Sequence, residues 1–435
     1  METIPARRED TGAAAARGKR ALLIAYHYPP CQESSGYLRA LAFSRYLPRF
    51  GWNPVVLTAS ERAYSKVDPK QCERIPKTVP VVRAFARDAR EHLSISHKYP
   101  SLLGVPDRCS SWWLGATPVG LSLIRRYRPQ VLWATQPNPT AFWIAHTLHR
   151  LTGVPWIADF RDPIGEGDSR LAARVCHWIE RKTVSSCSRA VFTAEGAAAA
   201  YAARFPEIPA DRWTIISNGY DEADFDFIEG DMPASAGRPL RLIHSGALYP
   251  EGRDPRALFT AICRLKQSGQ LSSNEATIVF RAAGSEGYYR ELLEQADIAD
   301  IVQLRPSIPY KQALAELFAA DGLLVLQGGI HSGQIPAKIY EYMRSRRPIM
   351  ALTDPAGNTA QALRDAGLNT IAPIDRANEI AVALMNFIAK IRAGEAAVAS
   401  DAAIARHTRE AGARQLARLF DEIAADQLEA AAGGY

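Results

Sequence analysis

Gly328, Gly329 and Gly333, followed by Lys338 and Glu341, lie between two apolar runs, Gly322–Leu326 and Pro348–Leu352. A strand that enters a glycine loop and then a helix start, here at Pro336, aims backbone N–H groups and a positive helix end at an anion. Lys338 in the first turn adds a full charge at that point. Glu341, three residues on, shares its face, and a carboxylate there can accept hydrogen bonds from sugar hydroxyls. The same residues also describe an ordinary βαβ unit, because glycine loops of this kind are common. A second group is Asp159-Phe160-Arg161-Asp162-Pro163, at the end of the apolar run Pro155–Phe160. Asp159 and Asp162 could position a hydroxyl or take its proton, and Arg161 could contact a phosphate; equally, the three could close into an Arg–Asp knot supporting the loop.

The elements that would hold these residues recur along the whole chain. Apolar runs at 21–26, 53–58, 131–135, 155–160 and 190–193 alternate with helical patterns, and the alternation restarts at 240–244, 276–281, 301–304 and 322–326. This predicts an α/β fold with parallel sheets, in two Rossmann-like domains facing across a cleft, with ligands beyond the carboxyl ends of the strands. The 435 residues also exceed one ordinary core. The expected organisation is a disordered leader over 1–19, a first domain over 20–222, a linker over 223–238, a second domain over 239–400, and a C-terminal helix and tail over 401–435. Ser101 to Trp113 shows no clear pattern, and a helix is expected from about Pro118 to Tyr127.

Hydrophobic content of 47% and charged content of 23% are those of a globular protein. The six cysteines are scattered without a CxxC pair, which argues for reduced thiols in a cytoplasmic protein rather than a metal site or disulfide frame. The first twenty residues lack a signal-peptide core. The longest apolar candidate, Ser110–Ile124, is broken by Gly115, Pro118 and Gly120 and is too short to span a bilayer. The net charge of +6 is uneven: residues 1–230 carry 30 Lys and Arg against 23 Asp and Glu. A basic first half suggests an anionic partner. A peripheral contact with an anionic membrane is one option; nucleic acid is not expected, since no aromatic-and-basic recognition module is visible. Trp112 and Trp113, with Arg108, Arg125, Arg126 and Arg128, could rest on such a membrane or fill the core of the first domain.

Five segments together carry a family resemblance. YHYPPCQESSGYLRALAFSRYL is similar to the first strand, loop and helix of GT-B glycosyltransferases of glycosyltransferase family 4. PQVLWATQPNPTAFWIAHTLHRLTGVPWIADFRDPI resembles the middle of their acceptor domain, and TIISNGYDEADF their Pro-Asn-Gly hinge, with Ser217 in place of the proline. LIHSGALYPEGRDPRAL and IPAKIYEYMRSRRPIMAL resemble the first strand and loop of the donor domain and its phosphate helix. The resemblance implies a GT-B fold and transfer of a sugar from a nucleotide-diphosphate sugar to a glycan or polyprenyl-linked acceptor. It further implies retention of configuration, no metal cofactor, and a place in surface polysaccharide or lipopolysaccharide assembly, on the inner face of the cytoplasmic membrane.

By the same resemblance, Arg253 and Lys338 neutralise the leaving diphosphate, an electrostatic task that grows as charge develops. Gly36 admits the diphosphate close to the backbone, and Arg39 is either a phosphate contact or a solvated helix residue. Glu341 holds the ribose or sugar hydroxyls. Gly333 stands where family members commonly carry a glutamate, which leaves the sugar unassigned. Asp159, Arg161 and Asp162 serve the acceptor side. Two rival readings share the fold: a nucleotide-sugar epimerase, and a catalytically silent scaffold that binds a nucleotide or a partner enzyme.

Overall fold

A computed structural model describes residues 18–33, 36–92, 104–165, 169–226 and 237–432. Nearly all of the expected leader and most of the expected linker lie outside these residues. The chain forms two parallel sheets. The first contains β1 (Lys19–Ala25), β2 (Trp52–Ala59), β3 (Val81–Ala84), β4 (Val131–Thr135), β5 (Trp156–Arg161), β6 (Arg189–Phe192) and β7 (Trp213–Ile215), in the order β3-β2-β1-β4-β5-β6-β7. The second contains β8 (Leu240–Ser245), β9 (Ala276–Arg281), β10 (Val302–Arg305), β11 (Gly322–Gln327), β12 (Ile349–Thr353) and β13 (Ile371–Ala372), in the order β10-β9-β8-β11-β12-β13. In each sheet the strand order reverses beside the first strand, leaving a crevice at the carboxyl ends of β1 and β4, and of β8 and β11.

The central strands are apolar on both faces because helices cover both. In β4 and β11 every residue is buried, as parallel sheets require. One face of the first sheet packs on helices Ser111–Tyr127, Pro139–Thr152 and Arg170–Ser186 through Trp112, Phe142, Ile144 and Ile179. The other face packs on helix Tyr37–Tyr46 and on the last helix, Arg409–Ala432, whose Leu416, Phe420 and Ile423 join the core of Leu23, Trp52 and Trp133. The chain therefore returns to its first domain after completing the second. Trp52 Nε1 and Lys19 Nζ both donate to Asp421 Oδ1, at 2.9 and 2.7 Å.

The helix expected from Pro118 starts earlier, at Ser111, and Pro118 lies inside it. Proline removes one helical N–H, and both Pro118 and Leu114, four residues back, lie on the exposed side, so the unmatched carbonyl is not trapped in the core. This places the two tryptophans differently from the membrane reading. Trp112 is fully buried and meets Tyr26 edge-on at 5.4 Å. Trp113 stacks on Trp143 at 4.8 Å and donates Nε1–H to Thr147. Trp112 therefore belongs to the core, and Trp113 is held half-buried against the neighbouring helix. No helix among the described residues is long and apolar enough to cross a membrane.

Candidate functional site

Between the two sheets lies a cavity of about 260 Å³, walled by both domains. Its charged lining is five cations, Arg39, Arg161, Arg253, Lys338 and Arg409, against one carboxylate, Glu341. The second domain supplies Lys338 from the start of the short helix Lys338–Arg344. Seven residues make a weak dipole, so the side-chain cations rather than the helix end define the charge of this site. Lys338 Nζ donates to the Ser245 carbonyl at 2.5 Å and to His244 Nε2 at 3.3 Å. His244 is fully buried, and its Nδ1 lies 2.9 Å from the Leu324 carbonyl. A carbonyl can only accept, so Nδ1 carries the proton and Nε2 is left as an acceptor for Lys338. Burial and the Lys338 charge hold the imidazole pKa well below its ordinary value, keeping it neutral. His244 is thus a positioning residue for the lysine.

Among the described residues, no carboxylate pairs with Lys338. Burial, then repulsion from Arg253, bring its pKa down to about 7, against a smaller upward pull from Glu341. Arg253 lies in the loop after β8, stacked over Tyr249 at 5.1 Å, with its buried Nε unpartnered among the described residues. The nearby acid that could have quenched it, Asp254, pairs instead with Arg256. Gly246 makes room for the lysine: its φ is +120°, and a Cβ there would stand 2.7 Å from Lys338 Nζ. Glu341 accepts a 2.6 Å hydrogen bond from Tyr310, and burial raises its carboxyl pKa.

The first domain contributes a different kind of charge. Arg39 is buried and holds Asp159 with both Nε and Nη2, at 3.0 and 2.9 Å, while also donating to the carbonyls of Ile216 and Ser217. Thr135 Oγ1 donates to the same Asp159 carboxylate at 2.7 Å. Asp159 is fully buried and engaged through both oxygens. This corrects its expected role: it faces Arg39 and Thr135 rather than an acceptor, and positions Arg39 against the hinge. The knot forms between Asp159 and Arg39, not Arg161. Arg161, at φ +56°, donates to the carbonyls of Gly36 and Gln136, and burial lowers its pKa. Arg161 also borders a second cavity of about 360 Å³ lined by Gly36, Gln136, Asp162 and Gly165. Asp162 opens to solvent there, and loss of part of its hydration raises its carboxyl pKa, against smaller downward pulls from Arg161 and from His331 of the opposite domain.

Arg39, Arg161, Arg253, Lys338 and Glu341 thus meet in one cavity, Gly36 and Asp162 border the adjoining one, and Asp159 and Gly333 line neither. Gly333 is instead an interdomain contact: an added Cβ on it would lie 3.5 Å from Gly196, and one on Gly196 would meet Gly333 Cα at 2.8 Å and Asn358 Oδ1 at 2.2 Å. The N–H of Gly196 donates to that Asn358 oxygen. Sequence reasoning missed Arg409, which comes from the last helix, and Tyr310 and Gly246, which carry no local signal. It also missed that His27, Cys31 and Glu33 gather their ligand-type atoms within 4.8 Å. Glu33 is already hydrogen-bonded by Ser65 and lies 3.6 Å from His27 Nε2, with its pKa lowered to about 2.

Residues 37–219 match the model of the glycosyl transferase 4-like domain. A search of curated proteins by sequence finds no match. Among solved structures, a sucrose-phosphate synthase from Thermosynechococcus elongatus superposes with a TM-score of 0.61 at 12% identity, over 95% of this chain and 98% of that one. Anabaena HepE in complex with UDP and glucose gives 0.62 at 13% identity, over 93% and 100%. The lipopolysaccharide outer core galactosyltransferase WaaB gives 0.58 at 13% identity, over 90% and 97%. At these identities the likeness establishes the two-domain GT-B fold.

Proposed function

From the match of residues 37–219 to a glycosyl transferase 4-like domain and from the GT-B fold, we propose that the chain moves a sugar from a nucleoside-diphosphate sugar to a hydroxyl of a glycan or lipid-linked acceptor. The observation that carries this reading is the meeting of Lys338 and Arg253 in one cavity with no carboxylate bound to either among the described residues. Two half-buried cations that repel each other are costly unless an anion joins them. A diphosphate fits: Arg253 can engage two of its oxygens and Lys338 acts as a point charge. Both then favour the transition state, in which negative charge builds on the leaving diphosphate. Protein cations do this work in the proposal, without a metal cofactor.

Glu341, turned towards the same cavity and steadied by Tyr310, accepts hydroxyl protons from the ribose or the sugar. The acceptor enters from the first domain, where Asp162 and Arg161 border the adjoining cavity. Of these, Asp162 is the carboxylate open to a substrate, so it replaces Asp159 as the group that orients or deprotonates the acceptor hydroxyl. Retention of configuration and a place in surface polysaccharide or lipopolysaccharide assembly complete the reading. UDP-bound HepE supports testing uridine donors first.

Calorimetry of the purified chain against UDP, GDP and ADP tests the donor class. One nucleotide is expected to bind, and Lys338→Ala to lower sugar transfer by orders of magnitude with the fold intact by circular dichroism. Absence of binding to all three, or undiminished turnover by the variant, defeats the reading.

A further inference from the structure

We propose that the outer face of helix Arg170–Ser186 is a docking surface for an anionic lipid bilayer, beside the acceptor end of the cleft. The exposed positions of this helix include Arg170, Leu171, Arg174, Trp178, Arg181 and Lys182. No acid stands among them: the one acid of the helix, Glu180, is buried and faces Arg204, Tyr201 and His177. The cations are therefore not neutralised from their own helix. Between them stand two large apolar side chains, Leu171 at 44% and Trp178 at 46% exposure. A basic face with an exposed tryptophan and leucine is the pattern of a helix lying in a lipid interface.

The neighbours extend the pattern. Helices Ser111–Tyr127 and Pro139–Thr152 pack beside it in one layer over the first sheet. The three helices together contain seven Lys and Arg and no acid but Glu180. Leu114 and Leu151 are exposed on them at 65% and 62%, and Arg125, Arg126 and Arg150 are exposed as well. Each helix links parallel strands, so all three run antiparallel to the strands and their outer faces form one slab. The exposed apolar groups favour a bilayer over nucleic acid, whose phosphates need only the cations. This face differs from the one the sequence suggested: Trp112 and Trp113 turn inward, and Trp178 takes the interfacial place.

Position gives the surface a use. Helix Arg170–Ser186 starts a few residues beyond Asp162 and Gly165, which line the acceptor-side cavity. A bilayer held against its outer face brings an acceptor carried on a lipid to that cavity. This last step rests on the transferase reading; the binding itself does not.

The test is co-sedimentation of the full chain with phosphatidylcholine vesicles containing about one-third phosphatidylglycerol, and with pure phosphatidylcholine. Binding is expected only to the anionic vesicles and should weaken in high salt. With each basic side chain near such a surface contributing several-fold, Arg174→Gln/Arg181→Gln/Lys182→Gln should reduce partition by about a hundredfold. Trp178→Ala should reduce it further, and nucleotide binding should be unchanged in both variants. No binding to anionic vesicles, equal partition of the triple variant, or release from vesicles by equimolar duplex DNA with retention on the DNA overturns the proposal. Loss of vesicle binding with nucleotide binding intact fails this inference alone, whereas loss of nucleotide binding with vesicle binding intact fails only the transferase reading.

Discussion

Lys338 makes a quantitative prediction about protons. In the free protein its pKa stands at about 7, against about 10.4 for an unperturbed lysine. At pH 8 it is therefore roughly one-tenth protonated. A diphosphate seated between Lys338 and Arg253 reverses the repulsion and restores the charged form, so binding at pH 8 should take up about 0.9 proton per nucleotide. The ligand does not confuse the measurement, because a terminal phosphate with a second pKa of about 6 is already ionised. Calorimetry of UDP binding in buffers of differing ionisation enthalpy reads the uptake directly. Affinity should also fall by nearly tenfold between pH 8 and pH 9. Lys338→Met, which keeps the stem and removes the charge, should bind weakly with no uptake in this range. An uptake below about 0.2 proton in the unaltered chain, or the same uptake in Lys338→Met, refutes the assignment of the shifted group and its role at the phosphate.

Without ligand, the lowered pKa means that Lys338 itself binds less proton in the folded chain than in the unfolded one between about pH 7 and the ordinary lysine range. Its own contribution to stability therefore rises with pH across that window, so the difference in thermal melts between the unaltered chain and Lys338→Met should shift in favour of the unaltered chain as pH rises. Gly246→Ala drives a Cβ towards Lys338 Nζ from a φ of +120°, so nucleotide binding should drop by about tenfold or more with little change in secondary structure. Asp159→Asn unpairs Arg39 in a buried site, and denaturant titration should show a loss of about 3 kcal/mol or more; an unchanged midpoint would return Asp159 to the list of acceptor groups. Gly196→Ala places its Cβ against Gly333 and Asn358 and should loosen the two domains, visible as a larger radius of gyration by solution scattering.

The sequence made the strands and the second-domain site legible because both are written locally. β4, expected at 131–135, is found at those residues, since a fully covered parallel strand announces itself as an apolar run. Lys338 and Glu341 line one cavity, as the strand–loop–helix spacing suggests, and Arg253, expected from the family resemblance, lines it with them. The first-domain site was less legible for a physical reason. Arg39 and Asp159 are 120 residues apart, and nothing in either segment says that this arginine takes the carboxylate rather than Arg161. Arg409 lies on the last helix, beyond any window that contains the cleft. Trp112 and Trp113 were left between a membrane face and the core because Gly115, Pro118 and Gly120 hide the helical period that turns Trp112 inward.

The return of helix Arg409–Ala432 to the first sheet has a consequence for how the chain is made. Leu416, Phe420 and Ile423 are part of the packing around Trp52 and Trp133, so the half of the molecule that leaves the ribosome first is the half that closes last. Until residues 409–432 emerge, Tyr37–Tyr46 and Trp52 lack the helix that covers them, leaving the kind of apolar surface that invites chaperones or aggregation during synthesis. A fragment ending at the hinge would keep that groove for good. Arg409, at the root of the same helix, lines the cleft, so the docking that closes the first domain also completes the charge of the cavity.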